Sequence, residues 1–158
     1  MMMTSPQPGD GKSTTISNLA VSFARAGQRV LLIDADLRRP TISKIFGTEN
    51  EPGLADVLTN DLTVLEAIQT TPLENLHIMP HGSTTSEPAE LLESLRLGSI
   101  LEEAKQHFDL VLIDAPPLLA VADPAIIAPL VDSVLLTVRV NKNGRRPVEH
   151  AVKLLTDI

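Results

Sequence analysis

The chain has 158 residues, 43% of them hydrophobic and 21% charged, which is the size and balance of one globular domain over residues 1–158 and excludes a disordered segment or a coiled coil. Twenty acidic residues against 13 basic ones give a formal net charge of −7, and aromatics make up 2%, so the chain lacks the basic stripe and stacking platform that nucleic-acid binding uses. The absence of cysteine excludes disulfides and thiolate metal or iron–sulfur sites and suits a reducing cytosol, and no apolar run approaches the roughly 20 residues that span a bilayer.

In chain order, the first feature is the loop Pro8-Gly9-Asp10-Gly11-Lys12-Ser13-Thr14. Such a loop normally leaves a buried strand of about five residues, and Met1-Met2-Met3 with Thr4 and Ser5 are too short for one, so the fold is expected to be cut at this end. After the loop, Ile16, Leu19, Ala20, Phe23 and Ala24 recur with helical spacing, and Gly27 stands at the place of a C-cap.

Four continuous apolar runs predict strands buried on both faces: Val30 to Ile33, Leu76 to Met79, Leu110 to Ile113 and Val134 to Val140. Between the first two, Gly47 to Pro72 carries weak helical signals around Leu54 to Leu58 and Val64 to Ile68 and is placed as a peripheral excursion. His81 to Ser86 reads as a polar loop. Pro88 to Gln106 predicts one helix, Asp123-Pro124 the N-cap and first residue of another, and Arg146 to Thr156 a last one, with a further strand expected beyond it. Strands alternating with helices imply right-handed βαβ units: an α/β fold with a mainly parallel sheet flanked by helices on both faces, a three-layer α/β/α arrangement apparently truncated at both ends.

The chemistry concentrates in the loop and in three carboxylates. Gly9 and Gly11 let backbone N–H groups close on phosphate oxygens, and the helix that follows points its positive end there. Lys12 supplies charge to the β and γ phosphates, Ser13 a hydroxyl to Mg²⁺, and Thr14 lies near the α phosphate. Pro6 occupies the position where the general G-x-x-x-x-G-K-[ST] pattern has its first glycine. Two apolar strands then end on aspartate, at Asp34-Ala35-Asp36 and at Asp114. Ligands of open α/β sheets bind at the carboxyl ends of strands, so Asp34, Asp36 and Asp114 are expected to meet the loop. Carboxylates crowded there require a hard cation, and Mg²⁺ accompanies nucleotide phosphates. His77, His81, His107 and His150 are too scattered for a ligand set. Arg38 and Arg39 read as a solvated turn.

With these motifs in place, the chain resembles the bacterial tyrosine kinases of capsule and exopolysaccharide assembly, P-loop proteins related to the partition and division-site ATPases. Thr4 to Thr15 is similar to the family's Walker A motif, Leu32 to Pro40 to its Walker A′, and Val111 to Pro117 to its Walker B; Glu87 to Leu92 and Ala122 to Ala125 match further segments. Partition-type relatives carry an extra lysine where this chain has Gln7. The resemblance implies an ATP-dependent protein-tyrosine kinase in which Asp34 accepts the proton of the attacking hydroxyl. It further implies that Asp36 and Asp114 hold Mg²⁺, largely through water, and that Lys12 stabilises the departing γ phosphate. As partners it implies a transmembrane polysaccharide co-polymerase, a tyrosine-bearing protein substrate and a homo-oligomer, at the inner face of the plasma membrane. A nucleotide-switched partition-type ATPase and a catalytically silent nucleotide-binding partner of a polysaccharide transporter are the alternatives. The chain contains no tyrosine and so is not its own tyrosine substrate.

Overall fold

A computed structural model describes residues 1–59 and 62–158. The apolar runs pair into one sheet of six strands: β1 (Met2–Thr4), β2 (Val30–Asp34), β3 (Gln69–Thr70), β4 (Leu76–Met79), β5 (Leu110–Asp114) and β6 (Val134–Leu136). Their order is β3-β4-β2-β5-β1-β6, every pair parallel except the antiparallel β3 with β4. Among the described residues seven α-helices cover the faces: α1 (Lys12–Arg25), α2 (Ile42–Phe46), α3 (Leu54–Thr59), α4 (Pro88–Leu92), α5 (Arg96–His107), α6 (Asp123–Ile127) and α7 (Arg145–Asp157).

Strand side chains alternate between two cores because successive residues point to opposite faces. Leu31 and Ile33 join Leu97, Ile100, Leu101 and Ala104 of α5 on one side, while Val30 and Leu32 join Ile16, Ala20 and Ala24 of α1 on the other. The result is the expected three-layer α/β/α fold. Fully burying each large aliphatic of β2 contributes about 1.5–3 kcal/mol, which makes β2 and β5 the rigid centre on which the strand-end aspartates stand.

Four expectations are corrected. The first strand is present: β1 lies between β5 and β6, and bonds on both edges, Ile113 N–H to Met1 and Met2 N–H to Ser133 among them, let three residues suffice. The helix expected over Pro88 to Gln106 is two, because the chain turns at residues 93–95, leaving Leu95 96% exposed while Leu92 and Leu97 both reach the core. The run Val134 to Val140 pairs only as far as Leu136, and Val140 is exposed. Residues 47–59 and 62–72 are not peripheral. Leu54, Val57, Leu58, Val64 and Ala67 enter the larger core, and β3 adds an edge strand that weak local periodicity concealed. No helix among the described residues is long and apolar enough to cross a membrane.

Candidate functional site

The loop between β1 and α1 turns on two glycines in the left-handed region, Gly9 at φ 77° and Gly11 at φ 91°, a conformation that side-chain-bearing residues rarely adopt. Gly11 stands at the N-terminus of the 14-residue α1, and its carbonyl accepts both the N–H and the hydroxyl of Thr15 at 2.9 Å. The positive end of α1 therefore faces the cavity over the loop, and its first turn holds no acidic residue to oppose an anion.

Register brings the carboxylates together. In the β2–β5 ladder Asp34 stands opposite Asp114, and Met3 of β1 also pairs with Asp114, so the end of β1 delivers the loop to the same place. Lys12 reaches back over them. Its Nζ lies 2.9 Å from Asp36 Oδ2, 3.4 and 3.5 Å from the two oxygens of Asp114, and 3.2 Å from Ser13 Oγ. Burial works against its charge, but attraction to Asp114 and Asp36 prevails and holds its pKa above the ordinary lysine value. Asp114, fully buried, is pushed up by burial and pulled back by Lys12 and the Ser13 hydroxyl, with a net rise.

Asp34 is also fully buried, and its oxygens accept backbone N–H groups of the following loop: Asp36 at 3.2 Å on one, Thr41 and Ile42 at 3.0 Å each on the other. Burial, with the charge of Asp114 next, raises its pKa to about 7, and the bonds from Ile42 and Thr41 pull the other way. Above this floor opens a cleft of about 920 Å³, within the range of small-ligand sites. One wall is the loop with Lys12, Ser13 and Thr14, a second carries Asp36, Arg38, Arg39 and Lys44, and the third is apolar, from Pro116, Pro117, Ala120 and Val121. Asp34, Asp114 and Asp10 lie outside the lining. Asp10 turns its buried carboxylate into the loop itself, accepting the N–H of Gln7 at 2.9 Å.

Ser13, Asp36 and Asp114 are hard oxygen donors grouped around one point, a set that fits Mg²⁺, which keeps several waters and uses one or two carboxylates plus phosphate oxygens. Among the described residues no cluster of three or more His, Cys, Asp or Glu is arranged to cage a metal unaided. The histidines stay apart: His77 packs edge-on against Phe108 and His81 is buried in a loop.

Two features escaped the sequence reading. Arg38 does lie in an exposed turn, but it is more than a solvated residue, and Asp123 is no helix cap: the guanidinium grips the fully buried Asp123 carboxylate with two 3.0 Å bonds, tying the loop after β2 to α6. The helix begins one residue earlier than expected, with Ala122 at the cap. Lys142 and Asn143, beyond β6, touch the glycine loop through Asp10. No local signal marks either contact, because the partners are 85 and more than 130 residues apart.

A lysine from a glycine loop, set over aspartates at the ends of neighbouring parallel strands, defines a P-loop nucleotide-binding fold. Comparison with known proteins narrows this class. A family profile described as an AAA domain matches residues 2–158. The tyrosine-protein kinase YwqD of Bacillus subtilis is 42% identical over 153 residues, 97% of this chain and 63% of that protein. The putative tyrosine-protein kinase CapB of Staphylococcus aureus is 36% identical over 156 residues, 99% of this chain and 68% of that protein. Among solved structures, the kinase domain of the Escherichia coli tyrosine kinase ETK superimposes with a TM-score of 0.95 at 35% identity, over 99% of this chain and 61% of that one. At lower similarity (TM-score 0.74, 28% identity, 86% of this chain and 56% of the other), the septum site-determining protein MinD of Pyrococcus horikoshii was solved with Mg-ADP. This chain belongs to the bacterial tyrosine-protein kinase family of P-loop AAA-domain proteins, and spans 63% of YwqD and 61% of the ETK kinase domain.

Proposed function

We propose that this chain is the catalytic core of an ATP-dependent protein-tyrosine kinase that regulates exopolysaccharide or capsule synthesis and export. The observation that carries the reading is Lys12 gathered with Asp36 and Asp114 at the cleft floor, beside a carboxyl group, Asp34, poised near neutrality. Phosphoryl transfer needs positioning and charge neutralisation more than covalent chemistry from the protein, and these groups supply both.

In this reading the N–H groups of Pro8-Gly9-Asp10-Gly11-Lys12-Ser13-Thr14, proline excepted, hold the ATP phosphates at the end of α1. Ser13, Asp36 and Asp114 would hold Mg²⁺, which when bound would supply positive charge to neutralise the nucleotide phosphates. Lys12 leaves the carboxylates for the γ phosphate and stabilises it as it departs. Asp34 takes the proton of the tyrosine hydroxyl; a pKa of about 7 suits a base working at neutral pH, and its burial requires the 35–41 loop to shift for its oxygen to meet the hydroxyl. Residues 1–158 contain no tyrosine, so the hydroxyl comes from outside these residues, and a tyrosine-bearing substrate protein supplies it in this reading. A membrane-spanning polysaccharide co-polymerase as partner, assembly into homo-oligomers and a position at the inner face of the plasma membrane follow from the same family resemblance.

The test is transfer from labelled Mg-ATP to a tyrosine-bearing peptide, with Lys12→Met as the comparison. Transfer by the unmodified protein and its loss in the variant support the proposal. Hydrolysis of ATP to phosphate with no transfer to tyrosine would instead establish a partition-type ATPase.

A further inference from the structure

The carboxylate of Asp10 has no solvent exposure, yet it belongs to the loop whose backbone faces the phosphate site. A fixed negative charge there opposes an incoming polyphosphate and is costly to bury unpaired. Besides the Gln7 N–H within the loop, its partners come from the segment after β6, distant in sequence. Lys142 Nζ lies 3.1 Å from Asp10 Oδ1 and also donates to the Pro8 carbonyl, and Asn143 Nδ2 donates to Asp10 Oδ2 at 3.0 Å and to Gln7 Oε1 at 3.3 Å. Arg139 donates to the Gly9 carbonyl at 3.3 Å. The segment is itself braced, because the Asn143 side-chain oxygen accepts the Arg139 N–H at 2.7 Å while its own N–H bonds the Arg139 carbonyl at 2.8 Å.

We infer that Lys142, with Asn143, is a positioning residue that cancels the Asp10 charge and clamps the glycine loop in its phosphate-binding shape, so that nucleotide affinity is set in part from the segment after β6. The inference rests on the nucleotide-binding part of the proposed function and extends it to residues outside the cleft. Lys142 bonds the glycine loop at Pro8 and Asp10 and makes no bond to Lys12, Asp34, Asp36 or Asp114, so its removal acts on binding and leaves the transfer step alone. The electrostatic part of the effect grows with the number of phosphates on the ligand.

The experiment measures the dissociation constants of Mg-ATP, ADP and AMP by calorimetry, with KM and kcat for peptide phosphorylation, in Lys142→Met, Lys142→Arg, Asp10→Asn and the double variant Asp10→Asn/Lys142→Met. Lys142→Met is expected to weaken Mg-ATP roughly tenfold, the effect of one partly screened charge, and AMP much less. KM rises with kcat little changed, Lys142→Arg stays close to the unmodified protein, and the double variant recovers most of the loss because the stranded carboxylate is gone. Thermal melts establish that each variant is folded, and Asn143→Ala repeats the test should Lys142→Met unfold. Unchanged ATP affinity in both, equal weakening for AMP and ATP, or no recovery in the double variant overturns the inference. An unmodified protein that binds no nucleotide overturns it together with the nucleotide site, whereas binding without tyrosine transfer removes only the kinase reading.

Discussion

Burial beside Asp114 holds the pKa of Asp34 near 7 against 3.8 in an unfolded chain, so the folded protein keeps a proton on this side chain over the interval that the unfolded chain has already lost it. Where the folded state binds the extra proton, stability falls as pH rises: the contribution of Asp34 is most favourable near pH 4, declines by a few kcal/mol toward pH 7 and is flat above. Asp114, also raised, adds in the same direction. Urea midpoints measured without nucleotide across this range should therefore drop with pH, and Asp34→Asn should flatten the slope; parallel curves for the two proteins would contradict the raised value. The same residue separates chemistry from binding. Asp34→Asn keeps the shape and removes the base, so Mg-ATP affinity should change little while peptide phosphorylation falls about 10²- to 10⁴-fold. Asp114→Asn should instead show a higher Mg²⁺ requirement, partly rescued by excess metal. Transfer at the full rate by Asp34→Asn would rule Asp34 out as proton acceptor.

At the scale of elements, the segment from β2 to α2 is held at both ends. Asp34 accepts the N–H groups of Thr41 and Ile42, and Arg38 crosses to Asp123 on α6. The pair is asymmetric: Asp123 is fully buried, whereas the Arg38 side chain is 39% exposed. Arg38→Ala strands a buried carboxylate and should cost about 3 kcal/mol, while Asp123→Ala releases a guanidinium that water solvates and should cost about 1 kcal/mol. Chemical denaturation of the two variants checks the order, and equal losses would mean that the pair contributes through packing alone.

Across the whole molecule, stability is uneven. The β2 and β5 residues Leu31, Leu32 and Leu112 are fully buried, but α7 buries only Ala151 and exposes Val152, and Leu135 of β6, Val138 after it and Ile158 after α7 are exposed as well. Hydrogen exchange should open β6 and α7 well before β2 and β5, since local unfolding follows buried apolar contact. Mg-ATP at about a hundred times its dissociation constant should add roughly 2.7 kcal/mol, read as a thermal shift. Because Lys142 joins the β6–α7 region to the glycine loop, that ligand should also slow exchange at residues 139–143. No shift with saturating Mg-nucleotide would overturn the site.

Local pattern was enough to place the glycine loop, the strand-end positions of Asp34, Asp36 and Asp114, and the alternation of strands and helices, since run length, periodicity and glycine placement are properties of neighbouring residues. Between Gly47 and Pro72 the weak helical signals did mark α3 and a 3-10 turn at Leu65–Ala67, but the signals are too short to show that these turns enter the core, which packing against residues of β4 and α5 decides. Met2–Thr4 escaped local pattern because three residues become a strand only where two others flank them. The pairing of Arg38 with Asp123 and of Asp10 with Lys142 was equally invisible. The first depends on a strand order that seats β2 beside β5 and the second on one that seats β1 beside β6, and an order of strands is a property of the packed sheet that no stretch of chain carries alone.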